Sequence, residues 1–348
     1  MNWSLPQHLT KNQYFLAVDE FYEGKHMSYF KTSGIYDDYW RFAAERQQIF
    51  IKRNIKNENG PWTQNKILQQ YKFTNPYRVN DRVSQFLVSQ VIYNPETNNI
   101  SEKDVLFRIL LFKVFNKIET WKRLEKKIGL ITLNPNIFAQ LDSVLEEFEQ
   151  AKEKIYSGAY IMPSGKSSFG YAKKYKNHLA LLQFMFLNHF AEKATLCKTM
   201  KKLYELLLSY PTIGSFLAYQ YATDINYSEV TDFSEMEFVV PGPGAKSGIQ
   251  KCFTDVDEKN YSDVIKYVTY NQKKEFDRLG LQFTTLKGRP LQLIDCQNLF
   301  CEFDKYSRVA FPDVITPSNR TRIKQKFHMN SDPIKFYYPP KWDLNEQW

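Results

Sequence analysis

The chain has 348 residues, 43% of them hydrophobic, and a formal net charge of +9. That length allows two ordinary domains or one large two-lobed unit, and the charge is compatible with a polyanionic partner without establishing one. No run approaches the ~18 apolar residues of a membrane span, and Cys197, Cys252, Cys296 and Cys301 have neither zinc-site nor cluster-loop spacing, so reduced thiols in a cytoplasmic protein are expected.

Residues 1–35 carry no clear pattern and read as an N-terminal extension. Helical spacing begins with YDDYWRFAAERQQIF and returns in WTQNKILQQYKF after a polar loop. FTNP then breaks the chain, and YRVNDRVSQFLVSQVIY reads as one helix. Asn75, Arg78, Arg82 and Gln85 stand at offsets 0, 3, 7 and 10 and would share a face of it. That stripe is either the lining of a cleft or the wet side of an ordinary amphipathic helix.

VLFRILLFKVFNKIETWKRLEKKIG reads as a strongly apolar helix, with Asn116, Lys117, Thr120 and Trp121 near its end facing either a cavity or the core. NPNIFAQLDSVLEEFEQAKEKI is amphipathic. PSGKSS lacks the first glycine of a phosphate loop, because Tyr160 stands there, so a nucleotide-binding P-loop is rejected. HLALLQFMFLNHFAEKA reads as a buried helix.

The most telling stretch is YPTIGSFLAYQYATDINYSEVTDFSEMEFVVPGPGAKSGI. One helix ends at Tyr210 and another starts near Ser215, the layout of a helix-hairpin-helix. Ile213 would plug the gap, Gly214 would take the turn conformation, and the amides of Gly214 and Ser215 would face a phosphate. Gly242, Gly244 and Lys246 form a second candidate phosphate contact. Asp224, Asp232 and Glu235 place carboxylates near that grip. Two more helices follow, YSDVIKYVTYNQKKEFDRLG and LIDCQNLFCEFDKYSRVA. In the second, Asp295, Asn298, Glu302 and Lys305 again stand at offsets 0, 3, 7 and 10. They form either an internal network or a surface pair. The tail reads as an extended wrap.

The organisation expected is therefore a mainly α, two-lobed helical fold with few short strands. Its divisions are 36–195 as a helical lobe, 196–252 as the hairpin and PGPG segment, and 253–348 as C-terminal helices and tail. Residues 36–342 would form one catalytic unit.

Six motifs together resemble one family: YDDYWRFAAERQ, FTNPYRVNDRVSQFLVSQVIY, FRILLFKVFNKIETW, FVVPGPGAKSGI, LIDCQNLFCEFDKYSR and RTRIKQKF. This is the DNA base hypermodification family, also called the α-glutamyl/putrescinyl thymine pyrophosphorylases, which is related to the helical domain of the 5-hydroxymethyluracil DNA kinases. The resemblance implies the core of a helix-hairpin-helix DNA glycosylase. YPTIGSFLA is similar to the glycosylase turn, and Phe216 stands where bifunctional members carry a Schiff-base lysine. The position of the glycosylase aspartate falls at Ser234, so Asp232 ranks first as catalytic carboxylate, then Asp224, then Glu235.

The expectation that follows is a monofunctional, antiviral DNA glycosylase that flips a bulky modified pyrimidine out of phage DNA. Asn75, Arg78, Arg82, Gln85, Asn116, Lys117, Trp121, Asp295, Asn298 and Glu302 would line the base pocket. The alternative is a base-hypermodification transferase, in which Arg78, Arg82 and Lys305 hold a leaving pyrophosphate. A non-catalytic DNA-binding module is the third reading. In each, the protein is expected to be a monomer that binds DNA, touches no membrane and needs no cofactor or metal.

Overall fold

The computed structural model describes residues 30–346 apart from 331 and 333. Most of the N-terminal extension expected at 1–35 lies outside them. The chain is mainly helical. Among the described residues the only β pairing is three isolated bridges, of which Thr32 to Phe253 and Tyr71 to Lys326 join distant segments. The few short strands expected are reduced to these, because loops between helices meet only one residue at a time.

Helix α1 (Tyr36–Phe50) opens with Asp37 and Asp38, which favour the positive end of its dipole. It buries Tyr39 and Trp40 completely and runs on as a wider π-helical turn at Ile51–Ile55. Helix α2 (Lys66–Gln70) is capped by Asn65, whose side chain accepts from the amides of Ile67 and Leu68.

The single helix expected over 77–93 is instead three pieces. They are a 3-10 turn at Arg78–Asn80, α3 (Arg82–Phe86) and a π-helical stretch at Leu87–Ile92. Asp81 breaks the run in an extended conformation (φ −72°, ψ 141°), where its carboxylate accepts from the Asn75 amide at 2.9 Å. This local side-chain bond competes with the helix.

Helix α4 (Glu102–Phe115) is buried on every face from Leu106 to Phe115 and forms the axis of the core. Asn116 ends it in the left-handed conformation, so the apolar run splits before α5 (Ile118–Ile128). Helix α6 (Ile137–Gln150) packs beside it. A four-residue α7 (Lys166–Phe169) leads into α8 (Lys174–Leu187) and α9 (Phe190–Thr195), with His189 left-handed between the last two.

Helices α10 (Met200–Leu208) and α11 (Ser215–Ile225) form the expected hairpin, with Ile213 buried between them. The turn chemistry differs from expectation. Thr212 takes the left-handed conformation (φ 69°), whereas Gly214 is extended (φ −80°, ψ 172°) with open space where a Cβ would stand.

Helices α12 (Pro243–Cys252), α13 (Tyr261–Arg278) and α14 (Leu293–Ala310) close the fold. Gly244 and Gly248 let α12 press onto α14. A Cβ on Gly244 would stand 2.3 Å from Cys301 Sγ, and one on Gly248 would stand 2.1 Å from the Phe300 carbonyl. The tail wraps as expected, with Tyr338 fully buried and the Tyr337 amide bonded to Gln85. One continuous apolar core runs from Phe30 to Leu344. No described helix is long and apolar enough to cross a membrane, and all four cysteines are free thiols.

Candidate functional site

A buried lysine of the apolar α4 and the one carboxylate of the apolar α11 meet in the core. Asp224 Oδ1 accepts from Arg78 Nη1 at 2.7 Å, and Lys113 Nζ stands 3.2 Å from Asp224 Oδ2. All three side chains are at most 3% exposed. Arg78 also donates to Gln220 Oε1 at 3.1 Å and to the Tyr227 hydroxyl at 3.0 Å, and Lys113 donates to Asn116 Oδ1 at 2.8 Å. The Tyr160 ring covers the cluster, 4.6 Å from Lys113 Nζ, and stacks in turn on Phe216.

Burial opposes charge on Arg78, yet Asp224 and the neighbouring tyrosines hold its pKa well above the ordinary value. Burial brings Lys113 down to about 8 against the pull of Asp224. A buried charge needs such partners, since removing it from water otherwise costs several kcal/mol.

The same short turn faces two ways. Arg78 points into this cluster, and its backbone amide donates to Asp295 Oδ1 at 2.7 Å. Asn75, Asn80 and Arg82 line a cavity of about 750 Å³ on the other side. The end of α1, the 61–63 loop, α2, residues 326–330 and Ile334 complete its walls. Its cations are Arg46, Arg53, Lys72, Arg82 and Lys326, and among the described residues no aspartate or glutamate lines it. Arg46 is spent on the carbonyls of Phe73 and Thr74. Arg53 lies 5.2 Å from the Trp62 ring centre and donates to the Asn330 carbonyl. Arg82 donates to the Asp332 carbonyl. Neither has a carboxylate partner among the described residues. Behind them, burial raises Asp81 to about 7, with the Asn75 amide opposing and Glu302 adding to the rise.

The remaining residues of the two polar stripes scatter. Gln85 is buried and ties Val79 to the tail. Asn116 is buried in the Lys113 network. Lys117 is half-buried and bonds the Lys154 carbonyl, while Trp121 is core beneath Arg108. Asp295 caps α14 by accepting from the Gln292 amide at 2.9 Å, and burial raises it to about 7. Asn298 is half-buried. Glu302 accepts from the Thr74 amide and pairs with Lys305 at 2.7 Å, so Lys305 is engaged rather than open to a phosphate.

The three ranked carboxylates do not converge. Asp232 is 85% exposed and 3.8 Å from Lys341. Glu235 is buried against Arg289 at 3.3 Å. Only Asp224 joins a cluster. Gly214 and Ser215 are exposed at the head of α11, and Ser215 shares a 330 Å³ hollow with Lys246, but Glu258 holds Lys246 at 3.1 Å. Gly242 and Gly244 are corrected from phosphate contacts to packing positions. A Cβ on Gly242 would meet Phe216 at 2.9 Å, and Gly244 meets Cys301. Lys113, Gln220, Tyr227, Arg53 and Trp62 went unread. The legible signal for Lys113 is a cation inside FRILLFKVF.

Residues 33–316 match the family model for the helical domain of 5-hmdU DNA kinase. The chain belongs to this family. A 5-hmdU DNA kinase of Bacillus phage SP10 is 27% identical over 325 residues, covering 88% of this chain and 50% of that protein. The chain thus spans about half the length of that curated relative. No solved structure matches. The 5-hmdU kinase family bears out the resemblance to DNA base hypermodification proteins and overturns the glycosylase expectation, since its named relative is a transferase and not a hydrolase of glycosidic bonds.

Proposed function

We propose that this chain is a transferase of DNA base hypermodification. It holds DNA carrying a 5-hydroxymethyl pyrimidine and acts on the hydroxymethyl arm, leaving the base attached to its sugar. Membership of the 5-hmdU DNA kinase helical-domain family across residues 33–316 carries this reading. The carboxylate-free basic cavity supports it, because phosphates of DNA or of a donor need cations that no acid already holds.

Two transfers fit the arm. In phosphoryl transfer its oxygen bonds phosphorus and the donor's P–O bond breaks, as the phage relative's name implies for that protein. In the second, the arm already carries phosphate or pyrophosphate, an amine attacks the methylene carbon, and the C–O bond breaks. Arg82, which lines the cavity without a carboxylate partner among the described residues, is the candidate to receive such a leaving group. Arg78 and Lys305 are not, being bound to Asp224 and Glu302.

The test is nucleoside mass analysis after incubation. One arm uses hydroxymethyluracil DNA with ATP and magnesium. The other uses DNA phosphorylated on that arm, with a diamine. A gained phosphoryl group, or phosphate replaced by amine, is the expected product. Unchanged nucleosides in both arms contradict the reading.

A further inference from the structure

Two arginines stand close together in the cavity beside Asn80, with nothing anionic among its described lining residues. Arg53 feels Arg82 as a repulsive neighbour, after burial the second cause that lowers its pKa. Among the described residues their hydrogen bonds go to the carbonyls of Asn330 and Asp332. Such an arrangement is costly unless an anion joins it.

The aromatic partner is present too. Trp62 and Phe327 meet edge to face at 6.5 Å, and Arg53 lies against both rings. The third element is an orphan donor. Asn80 is fully buried, its Oδ1 accepts from the Tyr338 hydroxyl at 3.0 Å, and its Nδ2 has no partner. Asn80 is one of the residues that line the cavity, so this polar side chain stands at its wall. The volume of 750 Å³ lies within the range of small-ligand sites and is ample for one nucleotide.

We propose that this cavity is a nucleotide site for single-stranded DNA, in which Arg53, Arg82 and Lys326 hold phosphate and Trp62 and Phe327 meet the base. Stacking on aromatic rings above a basic groove is how single strands are held without a duplex. The identification of the polyanion as DNA rests on the proposed function. The site itself rests on the cavity.

The test is fluorescence anisotropy with a short oligothymidylate across a salt series. The paired variant Arg53→Gln/Arg82→Gln should lower the slope of log affinity against log salt by about 1.4, at ~0.7 for each phosphate contact on a single strand. Lys326→Gln, at an exposed position whose side chain only rests over the Tyr71 ring, should lower it by about 0.7. The control Lys198→Gln/Lys201→Gln removes equal charge from an exposed basic cluster and should leave the slope unchanged. Equal losses in the cavity and control pairs would mean diffuse attraction and overturn the site. So would cavity-dependent binding of free ATP with oligonucleotide binding untouched, which would make it a free-nucleotide site. Binding requires no turnover. Cavity-dependent binding without base modification therefore removes only the proposed reaction, and modification untouched by the cavity variants removes only the site.

Discussion

Arg78 Nη1 and Asp224 Oδ1 stand 2.7 Å apart with both side chains at most 1% exposed. Lys113 shares the same carboxylate, so one anion answers two cations in the core. Asp224→Ala leaves both uncompensated and should destabilise the protein by about 3–5 kcal/mol. Arg78→Met/Asp224→Leu keeps only Lys113 there and should cost less than Asp224→Ala alone. Urea midpoints of the three proteins check the order. An Asp224→Ala protein as stable as the parent would show that the cluster contributes nothing to folding.

Glycines in this chain act by different physics. Gly248→Ala places a methyl 2.1 Å from the Phe300 carbonyl, which is backbone and cannot swing away. Forcing α12 off α14 should cost at least about 1–3 kcal/mol. Gly214→Ala meets open space at an ordinary backbone angle and should cost no more than about 1 kcal/mol, the loss expected of alanine at a helix N-cap. Thermal midpoints of the two variants should separate widely. Similar midpoints would contradict the packing role given to Gly248.

Asp295 shifts the pH dependence of stability in a definite direction. Burial raises its carboxyl from 3.8 to about 7, although the Gln292 and Arg78 amides pull the other way and Glu235 adds to the rise. The folded state therefore binds this proton more tightly than the unfolded chain. The stability it brings is full below about pH 3.8 and is lost as pH rises through about 7. Asp295→Asn keeps one acceptor for the two amides and cannot ionise. Its unfolding free energy should be lower at pH 4 but fall less between pH 4 and pH 8 than that of the parent. Identical slopes would show that Asp295 does not titrate in this window.

Periodicity placed α13 and α14 nearly to the residue, because each keeps one apolar face over eighteen residues. It failed at 77–93, where the Asp81 side chain breaks a pattern that still looks helical. The polar stripe around Arg78 was visible as spacing, but its division was not. Arg78 faces inward because Asp224, 146 residues away, waits there, while Arg82 faces the cavity. Gly242 and Gly244 of PGPGAKSG were read as a phosphate turn. The i,i+4 spacing of Gly244 and Gly248 instead marks a helix crossing, which becomes legible only once Phe300 and Cys301 are known to lie opposite. The basic cavity was illegible for a similar reason, since Arg53, Arg82 and Lys326 come from three distant segments.

The central claim is that chemistry occurs on the hydroxymethyl arm while the base stays in DNA. DNA whose hydroxymethyluracil carries an isotopic label in the pyrimidine ring measures this directly. After incubation with the protein, ATP and magnesium, or with the phosphorylated DNA and a diamine, the label should remain with the polymer. On digestion it should appear in a nucleoside of altered mass. Label released as free base, with abasic sites left behind, would contradict the account.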